Sequence, residues 1–167
     1  VEIEKFQNAE PARREQYGLN HSDIVLVSVA YLVPVKGHPD LIRAIAIIRD
    51  ELPNLKLLLI GGGDPDYVQE LKNLIRDLGL QGRVIFGGKS DRVPSILKMC
   101  DGKVLATRNE GRKEGFGAAL VEAMAAGLPV IATRSGGPEE IVVNGETGWL
   151  VDPGKPEALA EAIRDFY

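Results

Sequence analysis

The sequence predicts an α/β fold built on a doubly wound parallel sheet with helices on both faces. Short apolar runs alternate along the chain with stretches of helical periodicity, the order that βαβ units produce. The runs at 24–30 (IVLVSVA) and 55–60 (LKLLLI) are apolar at nearly every position, which is typical of strands covered on both faces. Two helical patterns end at Gly79 and Gly127, and glycine is the usual residue just past a helix C-terminus.

The individual elements follow from these patterns in chain order. Strands are expected at residues 24–30, 55–60, 83–86, 103–107, 129–133 and 149–151, and helices at residues 38–51, 66–78, 91–99, 118–126 and 156–166. Residues 1–20 are polar and irregular, so we expect a linker with a short helix there, and the domain is assigned to residues 21–167. Ligands of such sheets bind outside the carboxyl ends of the strands. The loops that follow the strands are therefore the expected site.

The composition limits the class of protein. A length of 167 residues fits one domain. The net charge of −4 argues against a nucleic-acid or anionic-membrane binder, because such proteins carry a basic excess, and no segment approaches the ~18 apolar residues of a membrane span. Cys100 is the single cysteine, so no intrachain disulfide can form, and a cytoplasmic location is expected. The chain starts without methionine and stops inside a helical pattern, so we expect it to be part of a longer protein.

Two loops offer contacts for an anion or for a ligand close to the backbone. Lys36 in YLVPVKG (31–37) lies where the loop turns into a helix, so its ammonium can join the first-turn amides on an anion. A single lysine is more often simply solvated. The run Gly61-Gly62-Gly63 allows close approach to the backbone, or is only a tight turn. It is not a dinucleotide fingerprint, because the third glycine would fall on Asp66 and the run follows the second strand.

The loop after the fourth strand, residues 108–117, has the strongest functional pattern. Gly115 and Gly117 flank Phe116 and free backbone N–H groups at a helix N-terminus, which is a ready anion site. Glu114 and Glu122 are eight residues apart, so they can bind different parts of one extended ligand. Glu114 could instead cap the helix and Glu122 could be solvated. Glu122 lies in the otherwise apolar run AALVEAMAA, however, where an unpaired carboxylate is costly, and we prefer the functional interpretation.

The remaining candidates are weaker. Residues 134–140 form a glycine turn with Pro138 at a helix start, and they could line the same crevice. His21 and His38 have no partner at metal-ligand spacing and are interpreted as structural or exposed. The sequence contains no obvious metal cluster and no Ser-His-Asp or Cys-His arrangement.

Together these ordered motifs resemble a known family. EGFG (114–117) followed by EAMAAGLPVI (122–131) is similar to the E-x7-E signature of retaining GT-B glycosyltransferases, above all glycosyltransferase family 4, or glycosyl transferases group 1. Further similar segments lie at residues 27–37, 58–63, 84–88 and 135–151, and Phe6 matches a phenylalanine in the linker that leads into the second domain. The resemblance covers nearly the whole chain. It implies the Rossmann-like, C-terminal, donor-binding half of such an enzyme, of the hexosyltransferase type.

The resemblance also implies a role for each matching residue. Glu114 would contact the donor sugar and stabilise an oxocarbenium-like transition state, and Lys36 would neutralise the diphosphate as the second catalytic group. Glu122 would accept hydrogen bonds from the ribose hydroxyls. Donor-binding backbone groups would come from Gly115, Phe116, Gly117 and Ala118 at the phosphates and from Gly88, Lys89, Ser90 and Asp91 around the nucleobase.

The same resemblance implies the partners of the chain. The donor would be a nucleoside-diphosphate sugar, and no metal or other cofactor is expected, because members of this fold use cations and amides at the leaving diphosphate. The missing partner would be an N-terminal acceptor-binding domain, so the isolated chain is expected to transfer almost nothing. We expect no nucleic-acid partner and no direct membrane contact from this domain, although the full-length protein can be membrane-peripheral.

One position departs from the family pattern. Tyr31 stands where the family usually has arginine, and a tyrosine cannot offer a fork of charged donors to phosphate. Either Lys36 and the amides suffice, or the donor binds weakly, or the donor site has diverged. Two alternatives therefore stay open: a non-catalytic or degenerate nucleotide-binding module, and a glycogen-synthase-like GT-B enzyme.

Overall fold

Six strands form one parallel sheet in the computed structural model, which describes residues 1–109 and 117–167. The strands are β1 (Ile24–Val29), β2 (Leu55–Ile60), β3 (Val84–Gly88), β4 (Gly102–Leu105), β5 (Val130–Thr133) and β6 (Gly148–Val151). Their order across the sheet is β3-β2-β1-β4-β5-β6, and every neighbouring pair is parallel. This confirms the predicted α/β class and the doubly wound, Rossmann-like parallel sheet.

Helices cover both faces of this sheet. They are α1 (Ile3–Gln7), α2 (His38–Ile48), α3 (Pro65–Asp77), α4 (Val93–Met99), α5 (Ala118–Ala125), α6 (Pro138–Ile141) and α7 (Pro156–Phe166), with short 3-10 turns at Arg14–Tyr17 and Pro34–Lys36. Alternate strand residues enter different cores: Leu26 packs with α2, α3 and α7, whereas Val25 and Val27 pack with α1, α4 and α5. Because both faces are buried, the strands need apolar residues at successive positions.

The ends of some elements differ from the predicted ones. β4 stops at Leu105 instead of residue 107, because Arg108 donates its backbone N–H to Val35 O at 2.8 Å, outside the ladder. α4 starts at Val93 instead of residue 91, since the Ser90 hydroxyl accepts the Arg92 N–H at 3.0 Å in a preceding turn. α2 ends at Ile48, three residues early. The Arg108–Val35 bond joins residues far apart in the sequence and the Ser90–Arg92 bond forms a side-chain turn, so hydrophobic periodicity reveals neither.

The first twenty residues pack along the face that carries α4 and α5. Phe6, Ala12 and Leu19 are buried in the core on that side. The Arg14 guanidinium donates to the Met99 carbonyl oxygen, so this segment is attached to the end of α4. A short helix forms here as predicted, while the domain boundary at residue 20 stays a prediction.

Candidate functional site

The loops after β1 and β4 meet where the winding of the sheet reverses. These two strands are neighbours, and their connections run to opposite edges, which is where open α/β sheets bind ligands. The loops are pressed together: a Cβ on Gly37 would lie 1.9 Å from the carbonyl oxygen of Ala106, and the Gly37 φ of 71° also favours glycine. The backbone there is thus fixed by a contact that only glycine allows.

The loop after β2 closes on the same place. Gly61 has a φ of 145°, and a Cβ there would lie 1.9 Å from the carbonyl oxygen of Ala30. Leu32 donates its backbone N–H to Gly62 O at 2.9 Å, and Gly61 donates to Gly88 O at 2.9 Å. The glycine run is therefore required where the loops after β1, β2 and β3 cross, and its exposed side remains open to a ligand.

A cleft of about 370 Å³ lies over the ends of these strands. Its floor is apolar, from Val29, Ile60 and Leu105, and two cations, Lys36 and Lys89, stand at its sides. A second hollow of about 460 Å³ adjoins it across the Gly61–Gly62 backbone and Lys89. A cleft whose described lining is largely apolar with a few polar groups is typical of a small-molecule site.

The first turn of α5 forms another wall of the cleft through Ala119. Gly117 precedes the helix in the left-handed conformation, with a φ of 74°, and its carbonyl oxygen accepts the N–H groups of Leu120 and Val121. The N–H groups of Ala118 and Ala119 come before these first intrahelical bonds, so they are unused within the helix. Such amides attract anions, and Lys36 lines the same cleft.

The predicted site residues are distributed unevenly around this cleft. Lys36, at the end of the Pro34–Lys36 turn, is half-buried and lines it, and Lys89 is exposed and lines both hollows. Tyr31 stands at the rim with 72% of its surface exposed. Ser90 also lines the cleft, whereas Gly88 lines the second hollow.

Other predicted residues lie apart from the two hollows or outside the described chain. Asp91 is exposed and Glu122 is half-buried on α5, and neither lines the 370 Å³ cleft or the 460 Å³ hollow. Gly117 is buried and Ala118 is exposed at the start of α5. Glu114, Gly115 and Phe116 lie outside the described residues, so the catalytic assignment of Glu114 stays a prediction.

An ion pair beside the cleft was not foreseen from the sequence. The Arg108 guanidinium donates from Nε to Asp40 Oδ2 and from Nη2 to Asp40 Oδ1, both at 2.7 Å. Asp40, in the first turn of α2, is only 2% exposed. The sequence signal was weak, because an aspartate in a first helical turn is ordinary and its partner lies 68 residues away.

A second unforeseen feature joins the loops after β4 and β5. The Thr133 hydroxyl donates to the carbonyl oxygen of Thr107 at 2.6 Å, and both residues are buried, as is Ser135 beside them. Buried polar groups are tolerated when they are hydrogen-bonded. These bonds hold the carboxyl ends of β4 and β5 together behind the cleft.

His38 is buried at the start of α2, as a structural histidine would be. Burial, and to a lesser extent the positive charge of Lys36, lower its pKa from 6.5 to about 4. Within the described residues its Nδ1 has no hydrogen-bond partner. Cys100 is also buried, and burial raises the pKa of its thiol to about 12, so its reactive thiolate form is suppressed.

The described residues hold neither a metal-binding cluster nor a helix that could cross a membrane. Residues 1–109 and 117–167 contain no group of three or more His, Cys, Asp or Glu side chains placed to hold a metal ion. The helices in the same two ranges are all too short or too polar to cross a membrane.

The fold and cleft agree with the class of protein that the sequence comparisons identify. The profile of the family described as Glycosyl transferases group 1 matches residues 9–167. This chain belongs to that family, and its architecture is that of one half of a GT-B glycosyltransferase.

Particular relatives sharpen this identification. The chain is 36% identical over 174 residues to the GDP-mannose-dependent alpha-(1-6)-phosphatidylinositol monomannoside mannosyltransferase of Mycolicibacterium smegmatis, covering 99% of this chain and 45% of that protein. The crystal structure of Anabaena Alr3699/HepE in complex with UDP aligns with a TM-score of 0.87 and 32% identity, over 99% of this chain and 45% of that one. The chain thus spans less than half the length of these relatives.

A second similar structure shows which half is involved. The C-terminal domain of a glycosyl transferase group 1 family protein (LpcC) from Francisella tularensis aligns with a TM-score of 0.83 and 29% identity. The alignment covers 99% of this chain and 86% of that domain. The predicted resemblance to the C-terminal half of a GT-B glycosyltransferase is confirmed.

Proposed function

We propose that this chain binds the nucleoside-diphosphate sugar donor of a retaining glycosyltransferase of the hexosyltransferase type. The observation that carries the proposal is the 370 Å³ cleft at the switch point, with two lysines and a helix N-terminus around an apolar floor. The HepE relative binds UDP in its crystal structure. A diphosphate fits the charge of this cleft, and glycines let it approach the backbone.

The diphosphate is assigned to Lys36 and the first-turn amides of α5. Departure of a nucleoside diphosphate builds negative charge on its phosphates, and fixed donors aimed at that charge lower the barrier. Lys36 and Ala119 line one cleft, so the ammonium and the helix N-terminus can act on one ligand. The backbone at Gly115, Phe116, Gly117 and Ala118 would supply the remaining donors.

The sugar and ribose are assigned to the two carboxylates of the E-x7-E pattern. Glu114 would stabilise the positive charge that develops on the departing sugar, and Glu122 would accept hydrogen bonds from ribose hydroxyls. Gly88, Lys89, Ser90 and Asp91 would surround the base. Retention of configuration is part of this proposal. It is tested by ¹H NMR of the first-formed product anomer with the enzyme that carries both domains, and inversion would overturn it.

Three further parts of the proposal concern partners. The reaction would need no metal, because Lys36 and the first-turn amides of α5 would supply the positive charge at the diphosphate. A second, acceptor-binding domain would complete the active site, so this chain alone would bind donor without turnover. A cytoplasmic location without a nucleic-acid partner stays a prediction from the composition.

Calorimetric titration in EDTA tests the donor assignment. The chain is titrated with UDP, GDP and ADP and with their sugars, and saturable binding of one nucleotide family is expected. Binding that appears only after Mg²⁺ is added would overturn the metal-free assignment. Absence of binding in both buffers would favour the degenerate-module alternative. Titration of Tyr31→Arg would then show whether a guanidinium at this position restores nucleotide binding.

Single variants test the individual roles. Lys36→Ala should weaken nucleoside diphosphate binding at least tenfold while leaving nucleoside binding unchanged, and Lys5→Ala on α1 is the exposed-lysine control. Loss of one ribose hydrogen bond by Glu122→Ala should cost roughly 1–3 kcal/mol of nucleoside binding, against Glu157→Ala on α7 as its control. Unchanged nucleoside affinity in the Glu122 variant would remove that residue from the site.

A further inference from the structure

We propose that Arg108 and Asp40 are positioning residues that hold Lys36 in place for the donor diphosphate. This inference rests on the proposed function, and it assigns a role to two residues that neither the family pattern nor the cleft lining indicated. Their guanidinium–carboxylate pair joins the loop after β4 to the first turn of α2, and Lys36 lies in the segment that the pair fixes.

Three contacts bind the β1–α2 loop to the end of β4. Arg108 donates its backbone N–H to Val35 O at 2.8 Å, one residue before Lys36. Gly37, one residue after Lys36, packs against the carbonyl oxygen of Ala106. The two side-chain bonds from Arg108 to Asp40, each 2.7 Å, complete the attachment. Lys36 is thus held from both sides by groups of one short stretch of chain.

The burial and the bidentate geometry of the pair favour a fixed attachment. Asp40 is 2% exposed, and the Arg108 side chain is 32% exposed, so most of the interaction is shielded from water. Bidentate arginine–carboxylate pairs fix both distance and angle. A side chain that must meet a phosphate within a few tenths of an ångström benefits from such fixed support.

The geometry separates this role from direct contact with the donor. Asp40 is too deeply buried to reach a ligand in the cleft, and neither Asp40 nor Arg108 lines it. Arg108 borders a different hollow, together with Asn109, Pro153 and Gly154. Their effect on the diphosphate therefore passes through the β1–α2 loop and Lys36.

The test compares diphosphate and nucleoside binding in single and double variants. Calorimetry uses whichever of UDP and GDP the wild-type chain binds, together with its nucleoside. Asp40→Asn and Arg108→Gln should each weaken diphosphate binding about tenfold and leave nucleoside binding within twofold. Added to Lys36→Ala, either change should cause no further loss, because the group that they position is already gone. A purely structural role would not produce this phosphate-specific loss.

The matched control is a bidentate pair between α7 and the residues that follow α2. Arg164 donates to Glu51 at 2.7 and 2.9 Å, just beyond the opposite end of the helix. Arg164→Gln should therefore leave both affinities unchanged. If Arg108→Gln does not fold, as judged by its thermal transition, Arg108→Lys keeps the charge without the bidentate geometry and should lose about threefold in diphosphate binding.

Several outcomes would overturn the inference. Unchanged diphosphate affinity in folded Asp40→Asn protein would do so, as would additive losses with Lys36→Ala. A loss in Arg108→Gln without one in Asp40→Asn would show that Arg108 contacts the phosphate directly. If the wild type binds no nucleotide at all, the proposed function fails together with the inference. If the wild type binds and the Asp40 and Arg108 variants keep its diphosphate affinity, only the inference fails.

Discussion

The two ends of α2 carry the same kind of ion pair in different surroundings. At the cleft end, Asp40 is buried and accepts two hydrogen bonds from Arg108. Just past the other end, Glu51 accepts two from Arg164, with both side chains about half exposed. The bond lengths are nearly equal, so the difference between the two pairs lies in their access to water.

This difference decides what each pair contributes. A desolvated carboxylate must keep its partner, because losing it leaves an uncompensated buried charge. An exposed pair exchanges its hydrogen bonds with water at little cost. We therefore expect the cleft end of α2, where Gly37, His38 and Asp40 are all buried, to tolerate substitution less well than the far end. Four substitutions sharpen or break this contrast.

Gly37→Ala should have the largest effect. The added Cβ would lie 1.9 Å from the carbonyl oxygen of Ala106, at a φ of 71°. Overlap and strain together should cost about 4 kcal/mol in the free energy of unfolding, measured by urea denaturation. Gly18→Ala is the control, because Gly18 has a φ of 69° with nothing within 4 Å of the added Cβ. It should cost only about 1 kcal/mol, and equal losses would contradict the role of the loop contact.

Asp40→Ala should come next. It leaves the partly buried guanidinium of Arg108 without this carboxylate, which should lower the free energy of unfolding by about 3 kcal/mol. A double-mutant cycle with Arg108→Ala measures the coupling between the two side chains. A coupling energy close to zero would show that the pair behaves like an exposed one.

His38 should make stability depend on pH. Its pKa is about 4 in the folded chain and 6.5 in the unfolded one, so the unfolded state binds the proton more readily. The free energy of unfolding is therefore highest above pH 6.5, where His38 is neutral in both states. It falls as the pH drops towards 4, by about 2 kcal/mol between pH 7 and pH 4.5. Urea denaturation of His38→Gln should lack this part of the pH dependence. His21→Gln, at an exposed histidine, should retain it.

Glu51→Gln should have the smallest effect. The hydrogen bond from Arg164 lowers the pKa of Glu51 below 4.5, so the pair stabilises the chain above that pH and loses its contribution as the pH falls through the lowered pKa. The melting temperature at pH 7 should change by no more than ~2 °C. A larger change that persists in 1 M salt would mean that the far end of α2 is as sensitive to substitution as the cleft end.

Much of the fold could be predicted because strands that are buried on both faces are apolar at successive positions. The strand 55–60 was predicted with its observed bounds, because every residue in it except Lys56 is apolar and buried. The end of β4 was not, because the Arg108 N–H leaves the ladder for Val35 in a loop far away in sequence. Local patterns contain no information about such distant acceptors.

The site shows the same division. Lys36 was a candidate from its place before a helix, and the family resemblance gave it a role at the diphosphate. It lines the cleft, and that role stays a prediction. Asp40 was overlooked, because its importance depends on a partner 68 residues away. Glu122 was expected to lie among apolar neighbours, and it is half-buried on α5; its contact with ribose stays a prediction.

The sequence by itself determined the fold class, the order of strands and helices along the chain, and the family, since these depend on periodicity and on motifs of adjacent residues. Only the tertiary structure decided which loops touch and which charges lose water. Lys103 illustrates this, because its position on β4 between Val27 and Val130 leaves it 1% exposed. The physical reason is that burial and ion pairing depend on distances between residues far apart in the chain, which are set only when the sheet assembles.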